Sequence, residues 1–153
     1  MPEEFTKNNY TISTDKSKLD PAVIHGYLRR SYWAENIPLE IVKKSIENSF
    51  CFGVYNAGKQ IGFARVITDH ATFGYLADVF ILEEERGKGL SKWLMECILA
   101  HEQLQGLRSF SLMTQDAHSL YARYGFRNIP KPENFMTRKV EGIYKNQAID
   151  NRQ

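Results

Sequence analysis

The chain has 153 residues, 42% of them hydrophobic and 25% charged, with 10 glycines, 5 prolines and a formal net charge of +2. A chain of this length buries about 70% of its unfolded surface, so we expect a single domain over 1–153, with its core at about 10–140 and the form of the tail 141–153 left open. The composition excludes disordered and fibrous classes, and the near-balanced charge excludes the concentrated positive face that nucleic acid or an anionic membrane requires.

The opening MPEEFTKNNY is acidic and lacks an apolar stretch, and no run of about 18 apolar residues follows it. The expectation is a soluble, cytoplasmic protein. Cys51 and Cys97 have no CxxC spacing and fall inside predicted elements, which reads as two buried free thiols.

Tyr10–Thr14 alternates and is rich in β-branched residues, which predicts a first strand. Asp20 and Pro21 then place a cap and a first-turn proline before a helix reaching Trp33, with Val23, Ile24, Tyr27 and Leu28 at helical spacing. A second helix over about Leu39–Asn48 follows Pro38, with Val42 and Ile46 turned to the core. Cys51–Tyr55 and Gln60–Thr68 read as strands joined by an Asn56–Lys59 hairpin turn. Strict alternation puts Ile61, Phe63, Arg65 and Ile67 on one face of the second strand and Gly62 and Ala64 on the other. Phe73–Leu82 is the most apolar strand and is read as central in the sheet.

From Gly89 a helix is marked by Leu90, Trp93, Leu94, Cys97, Ile98 and His101. After a turn at Gly106 come a strand at Ser109–Thr114, a short helix at about Ala117–Tyr124, and a last strand near Phe135–Lys139. The order β-αα-βββ-α-β-α-β indicates a mixed α/β fold with helices on both faces of the sheet.

The stretch EEERGKGLSK, Glu83–Lys92, links the apolar strand to the next helix. A helix start presents unpaired N–H groups and the positive end of the helix dipole, and glycines let a backbone approach an anion closely. Arg86-Gly87-Lys88-Gly89-Leu90-Ser91 therefore reads either as a phosphate cradle with two cations beside it or as a solvated charged loop. It is neither a GxxxxGK[ST] loop, because Gly89 follows Lys88, nor GxGxxG, because position 92 is Lys.

A second segment, Ala117-His118-Ser119-Leu120-Tyr121-Ala122-Arg123-Tyr124-Gly125-Phe126, carries A-x-x-L-Y-x-x-x-G-F. Together the two segments resemble the GNAT acetyltransferase superfamily, in which a Q/R-x-x-G-x-G/A turn after a central strand precedes such a segment. The likeness extends over roughly 10–140, and it departs from the family at Glu84, where Gln or Arg is usual, and at Thr114.

The resemblance implies a GNAT-like, mostly antiparallel mixed sheet and acetyl transfer from acetyl-CoA to a primary amine of a small molecule or peptide, by direct attack in a ternary complex. The alternative is a CoA-binding regulatory module without turnover. It further implies that the backbone of Phe80, Ile81 and Leu82 flanks the pantetheine arm, that the amides of Arg86, Gly87, Lys88, Gly89, Leu90 and Ser91 cradle the pyrophosphate, and that Tyr121 is the acid for the departing thiolate. Asp78 is a candidate base or amine anchor, or a structural hydrogen-bonding group; Asp69 and His70 are its rivals. Tyr32 and Trp33, with Glu35, stand where an acceptor pocket would form, core packing being the other reading of Trp33. Arg65, a guanidinium on an apolar face, either pairs with Asp78 or Asp69 or orients an acceptor. No metal is implied, and a homodimer is compatible with the family.

Overall fold

The computed structural model describes residues 2–145. Six strands form one sheet in the order β1 (Glu4–Lys7), β2 (Tyr10–Ser13), β3 (Phe50–Asn56), β4 (Lys59–Thr68), β5 (Phe73–Ile81) and β6 (Ser109–Leu112). Every neighbouring pair is antiparallel except β5 with β6. Helices α1 (Pro21–Leu28) and α2 (Leu39–Glu47) cover one face; α3 (Leu90–Ala100) and the short α4 (His118–Ala122) cover the other. The mixed fold with helices on both faces is the one the sequence implies.

Each face has its own apolar cluster. Ile24, Leu28, Val42, Ile46, Cys51, Phe63 and Phe80 pack under α1 and α2. Ile12, Phe52, Val54, Ile61, Val66, Leu76 and Ile81 pack under α3 with Leu90, Leu94, Met95, Ile98 and Tyr121. Both cysteines are buried and free, and burial pushes each thiol up to about 11.

Several elements differ from the sequence expectation. β1 carries no strand signal of its own: EFTK has one apolar residue, and its register comes from a turn at Asn8, whose φ of 57° is in the left-handed region that asparagine tolerates. The first helix ends at Leu28 instead of Trp33. The Ser31 hydroxyl donates to Leu28 O (2.7 Å) and accepts from Ala34 N (3.1 Å), taking over helical hydrogen-bonding groups and turning the chain outward. At Phe135–Lys139 there is no strand. A 3-10 turn at Pro132–Asn134 precedes an irregular stretch in which Met136 is 92% exposed, and no sheet edge is paired to it. Of the tail, 141–145 forms a turn with Tyr144 against the α1–α2 cluster; 146–153 lie outside the described residues.

Two bulges decide which side chains meet. On β4, Gly62 faces Val54 while Gln60 faces Tyr55, so Ile61 is the extra residue. Ile61 therefore joins Ala64 and Val66 on the α3 face, correcting its predicted place beside Phe63. Gly62 is needed there: a Cβ would come within 2.9 Å of Phe80 O and 2.7 Å of the Ile81 side chain.

On β5, Phe80 faces Phe63 but Ala77 faces Arg65, leaving one extra residue around Asp78, whose φ is 56°. The Arg65 Nε donates to Asp78 Oδ2 (2.8 Å), an Arg65 terminal nitrogen donates to Ser49 Oγ (3.1 Å), and Trp33 Nε1 donates to Asp78 Oδ1 (2.9 Å). The Arg65 and Asp78 side chains are 16% and 9% exposed, so this ion pair is largely shielded. Removing one partner of such a pair leaves a charge poorly solvated, at a cost of about 3 kcal/mol. Arg65→Met is therefore expected to lower unfolding free energy in urea by about that amount, whereas Lys43→Met, which breaks the exposed pair with Glu40, should change it by under about 0.5 kcal/mol. Similar small losses in both variants would contradict a supporting role for the shielded pair.

Candidate active site

The parallel pairing of β5 with β6 runs from Phe73 against Ser109 to Leu76 against Leu112 and stops there. Beyond it β5 continues through Ala77–Ile81 with β4 on one side, and a cleft of about 510 Å³ opens on the other. That volume suits a small-molecule ligand. Val79, Phe80 and Ile81 form its floor; Tyr27, Arg30, Ser31, Tyr32 and Trp33 come from the end of α1 and the loop after it; Asp116, Ala117, Leu120 and Tyr121 come from the loop after β6 and from α4.

At one end lies the turn into α3. Gly87 and Gly89 have φ of 81° and 77°, and no atom lies within 4 Å of a Cβ built on either. Gly89 is the N-cap of the 11-residue α3, and no side chain caps the helix. An uncapped helix start with open space above it fits an anionic group bound by main-chain amides. The residues present thus fit the pyrophosphate of a CoA ester.

The carboxylates ahead of this turn organise it. Glu85, 8% exposed, accepts from Lys88 Nζ (2.8 Å), Asn56 Nδ2 (3.0 Å) and the Tyr10 hydroxyl (3.0 Å). The hydrogen bond from Lys88, then that from Asn56, holds its carboxyl down at about 2, and Tyr10 adds to them against the opposing effect of burial. Glu83 makes a two-point contact with Arg30 (2.8 and 3.1 Å), tying the loop after α1 to the end of β5. Glu84, the departure from the family pattern, is exposed. Arg86 donates from Nε to Ile81 O (3.1 Å) and from a terminal nitrogen to the Tyr27 hydroxyl (2.8 Å). The Tyr27 ring stacks on Phe80 with centroids 4.1 Å apart and lies 4.6 Å from the Arg30 guanidinium carbon.

Phe80, Ile81, Arg86 and Ser91 line the cleft together with Tyr32, Trp33 and Tyr121. Lys88, Gly89 and Leu90 instead border a separate hollow of about 70 Å³ with Lys7, Asn8, Tyr10 and Trp93, and the Lys88 ammonium is drawn to Glu85. Gly87 is exposed on the turn, and Leu82 packs between the two clusters. Asp78 and Arg65 are bonded to each other behind the cleft wall, Asp78 also receiving the Trp33 indole. Asp69 is distant in role: its carboxylate accepts from the N–H groups of Ala71, Thr72 and Phe73 and from the Thr72 hydroxyl, which closes the β4–β5 turn and holds it well below the usual carboxylate range.

Tyr121 is only 9% exposed, and its hydroxyl takes no hydrogen bond from another of the described residues. Burial first, then the neighbouring Tyr32 and Asp116, raises it above the ordinary phenol value, so it stays protonated at neutral pH. Tyr32 itself accepts at its hydroxyl from Gln115 N (3.2 Å), bridging the loop after α1 to the loop after β6. Sequence reasoning missed Tyr27, Arg30, Glu83 and Asp116. They lie in three separate segments with no motif spacing among them, and only the fold brings them together.

Among the described residues no cluster of three or more His, Cys, Asp or Glu side chains could hold a metal, and no helix is long and apolar enough to cross a membrane. Residues 47–128 match the family model for the acetyltransferase (GNAT) domain. A Gibberella zeae protein that is an acetyltransferase by name is 32% identical over 145 residues, spanning 80% of this chain and 81% of that one. The crystal structure of a GNAT-family protein from Xanthomonas campestris pv. campestris is 53% identical, with a TM-score of 0.86 over 88% of this chain and 96% of that one. A Clostridium acetobutylicum acetyltransferase structure holding acetyl-CoA shares the fold at 13% identity, with a TM-score of 0.61 over 86% of this chain and 95% of that one. With the motif turn, the split between β5 and β6 and these relatives in agreement, the chain belongs to the GNAT acetyltransferase family.

Proposed function

We propose that the protein transfers an acetyl group from acetyl-CoA to a primary amine of a small molecule or peptide, by direct attack within the cleft. The observation that carries this reading is that one cleft runs from Ser91, in the first turn of the uncapped α3, to Tyr121, a largely buried tyrosine whose hydroxyl has no protein partner among the described residues. Acetyl-CoA, when bound, supplies an activated acetyl thioester.

The chain's residues have distinct tasks in this reading. Main-chain amides of the 86–91 turn take the pyrophosphate, assisted by the dipole of α3. The backbone of β5 past Leu76, left without β6, is available to the pantetheine arm and to the thioester carbonyl, where N–H donors stabilise developing negative charge. As the carbon–nitrogen bond forms and the carbon–sulfur bond breaks, the Tyr121 hydroxyl gives its proton to the sulfur and regains one from the proton the amine sheds, relayed through solvent at the cleft mouth. Asp78 acts in this scheme by holding the β5 bulge and the Trp33 indole, since both its oxygens already accept hydrogen bonds. Tyr32 and Trp33, 54% and 41% exposed, form the wall against which the acceptor lies.

Two measurements test the scheme. Tyr121→Phe is expected to lower kcat by about 100-fold, in the range typical of a general acid, with CoA affinity within about twofold of the parent; free-thiol release and calorimetric titration read the two quantities, and undiminished turnover would remove Tyr121 from the acid role. Ser91→Glu places a carboxylate in the first turn of α3. It should weaken CoA binding by more than about tenfold while Tm stays level or rises, because a helix N-terminus favours a negative side chain in the absence of ligand. Unchanged CoA affinity in that variant would show that the anion binds elsewhere.

A further inference from the structure

The cleft holds four charged side chains: Arg30, Glu83, Arg86 and Asp116. Arg30 and Glu83 satisfy each other, and Arg86 is committed to Ile81 O and Tyr27 at the pyrophosphate end. Among the described residues no cation lies within ion-pair distance of Asp116. Asp116, itself exposed, therefore leaves a net negative group at the Tyr121 end, in a wall it shares with Tyr32, Trp33, Ala117 and Leu120. Those two rings meet edge to face, with centroids 5.1 Å apart. Glu35, which the sequence associates with them, is not among the cleft residues; the carboxylate that joins them comes from the loop after β6.

From this arrangement we infer that Asp116 is a specificity determinant, selecting acceptors that carry a second cationic group some carbons away from the amine that is acetylated. The inference rests on the amine-acceptor reading given above. Two physical points separate the second cation from the reacting nitrogen. A carboxylate beside the reacting amine would stabilise its ammonium form and oppose attack, whereas beside a spectator cation it only binds. Asp116 also lies outside α4, five residues before Tyr121 and ahead of the turn in which Leu120 N and Tyr121 N both bond to Ala117 O, so its carboxylate and the Tyr121 ring enter the cleft lining from different turns of the chain. A flexible diamine chain can present one nitrogen to each of two such groups.

The test uses the full chain, acetyl-CoA and three four-carbon probes: 1,4-diaminobutane, 1-aminobutane and 4-aminobutanoate. The expected order of kcat/KM is diamine above monoamine by about tenfold, as one charge-assisted contact supplies, with the amino acid lowest. In Asp116→Asn the diamine-to-monoamine ratio should fall toward one, chiefly through KM for the diamine, and Asp116→Glu should restore a large part of it. Acetylation of the amines without preference for the diamine, or a preference that persists in Asp116→Asn, overturns the role of Asp116 and leaves the amine-acceptor reading standing. A chain that binds acetyl-CoA but acetylates none of the three overturns both.

Discussion

The geometry of the site follows from the bulge at Asp78. Along β5 the side chains must alternate between faces, so one inserted residue exchanges the faces of everything after it. With the insertion, Phe80 joins the α1–α2 cluster and stacks on Tyr27, while Ile81 joins the α3 cluster. Without it those two would trade places, Tyr27 would lose its stacking partner, and Arg86 would lose the Tyr27 hydroxyl that orients it. The left-handed φ at Asp78 would be unfavourable for most residues; aspartate tolerates it, and Arg65 and Trp33 hold it there.

The same residue links sheet geometry to the cleft wall. Trp33 reaches Asp78 only because Ser31 ends α1 early, and Tyr32 then reaches Gln115 N across the opening. A loop that would otherwise be held by its two ends is thereby fastened at two further points, to β5 on one side of the cleft and to the loop after β6 on the other. The Arg30–Glu83 contact fastens it a third time, near the turn into α3. The triple carboxylate Glu83-Glu84-Glu85 consequently has a structural explanation: its outer members are clamps, one to Arg30 in the loop after α1 and one to Lys88, Asn56 and Tyr10, and only Glu84 is simply exposed.

Features set by local spacing are legible in the sequence. The RGKGLS turn and the A-x-x-L-Y-x-x-x-G-F segment are each contiguous, so the helix start and Tyr121 can be read from the residues alone, as can the helix faces carried by Leu94, Ile98, Val42 and Ile46. Long-range consequences cannot. Neither bulge has a sequence mark: alternation in QIGFARVIT suggests one regular strand, and only pairing with Val54 and Tyr55 shows Ile61 to be the extra residue. FMTRK at 135–139 has strand-like composition, but a strand needs a neighbour to take its hydrogen bonds, and none is supplied among the described residues. Arg65 illustrates the limit from the other side: its cost on an apolar face requires a partner, Asp78 and Asp69 both satisfy that requirement on paper, and only the fold chooses between them.

Family membership settles acetyl transfer in general; in the proposed scheme the acceptor is chosen by side chains from the α1 loop, the end of β5 and the loop after β6, which the family motifs do not include. The cosubstrate is held to lie in a single cleft, opened where β6 leaves β5 and running from the α3 turn to Tyr121. A crystal structure of the acetyl-CoA complex decides this. The pyrophosphate should lie within hydrogen-bond distance of main-chain N–H groups between Gly87 and Ser91, the pantetheine arm beside Val79–Ile81, and the Tyr121 hydroxyl within hydrogen-bond reach of the thioester sulfur. A pyrophosphate bound away from that turn, or a sulfur beyond the reach of Tyr121, would contradict it.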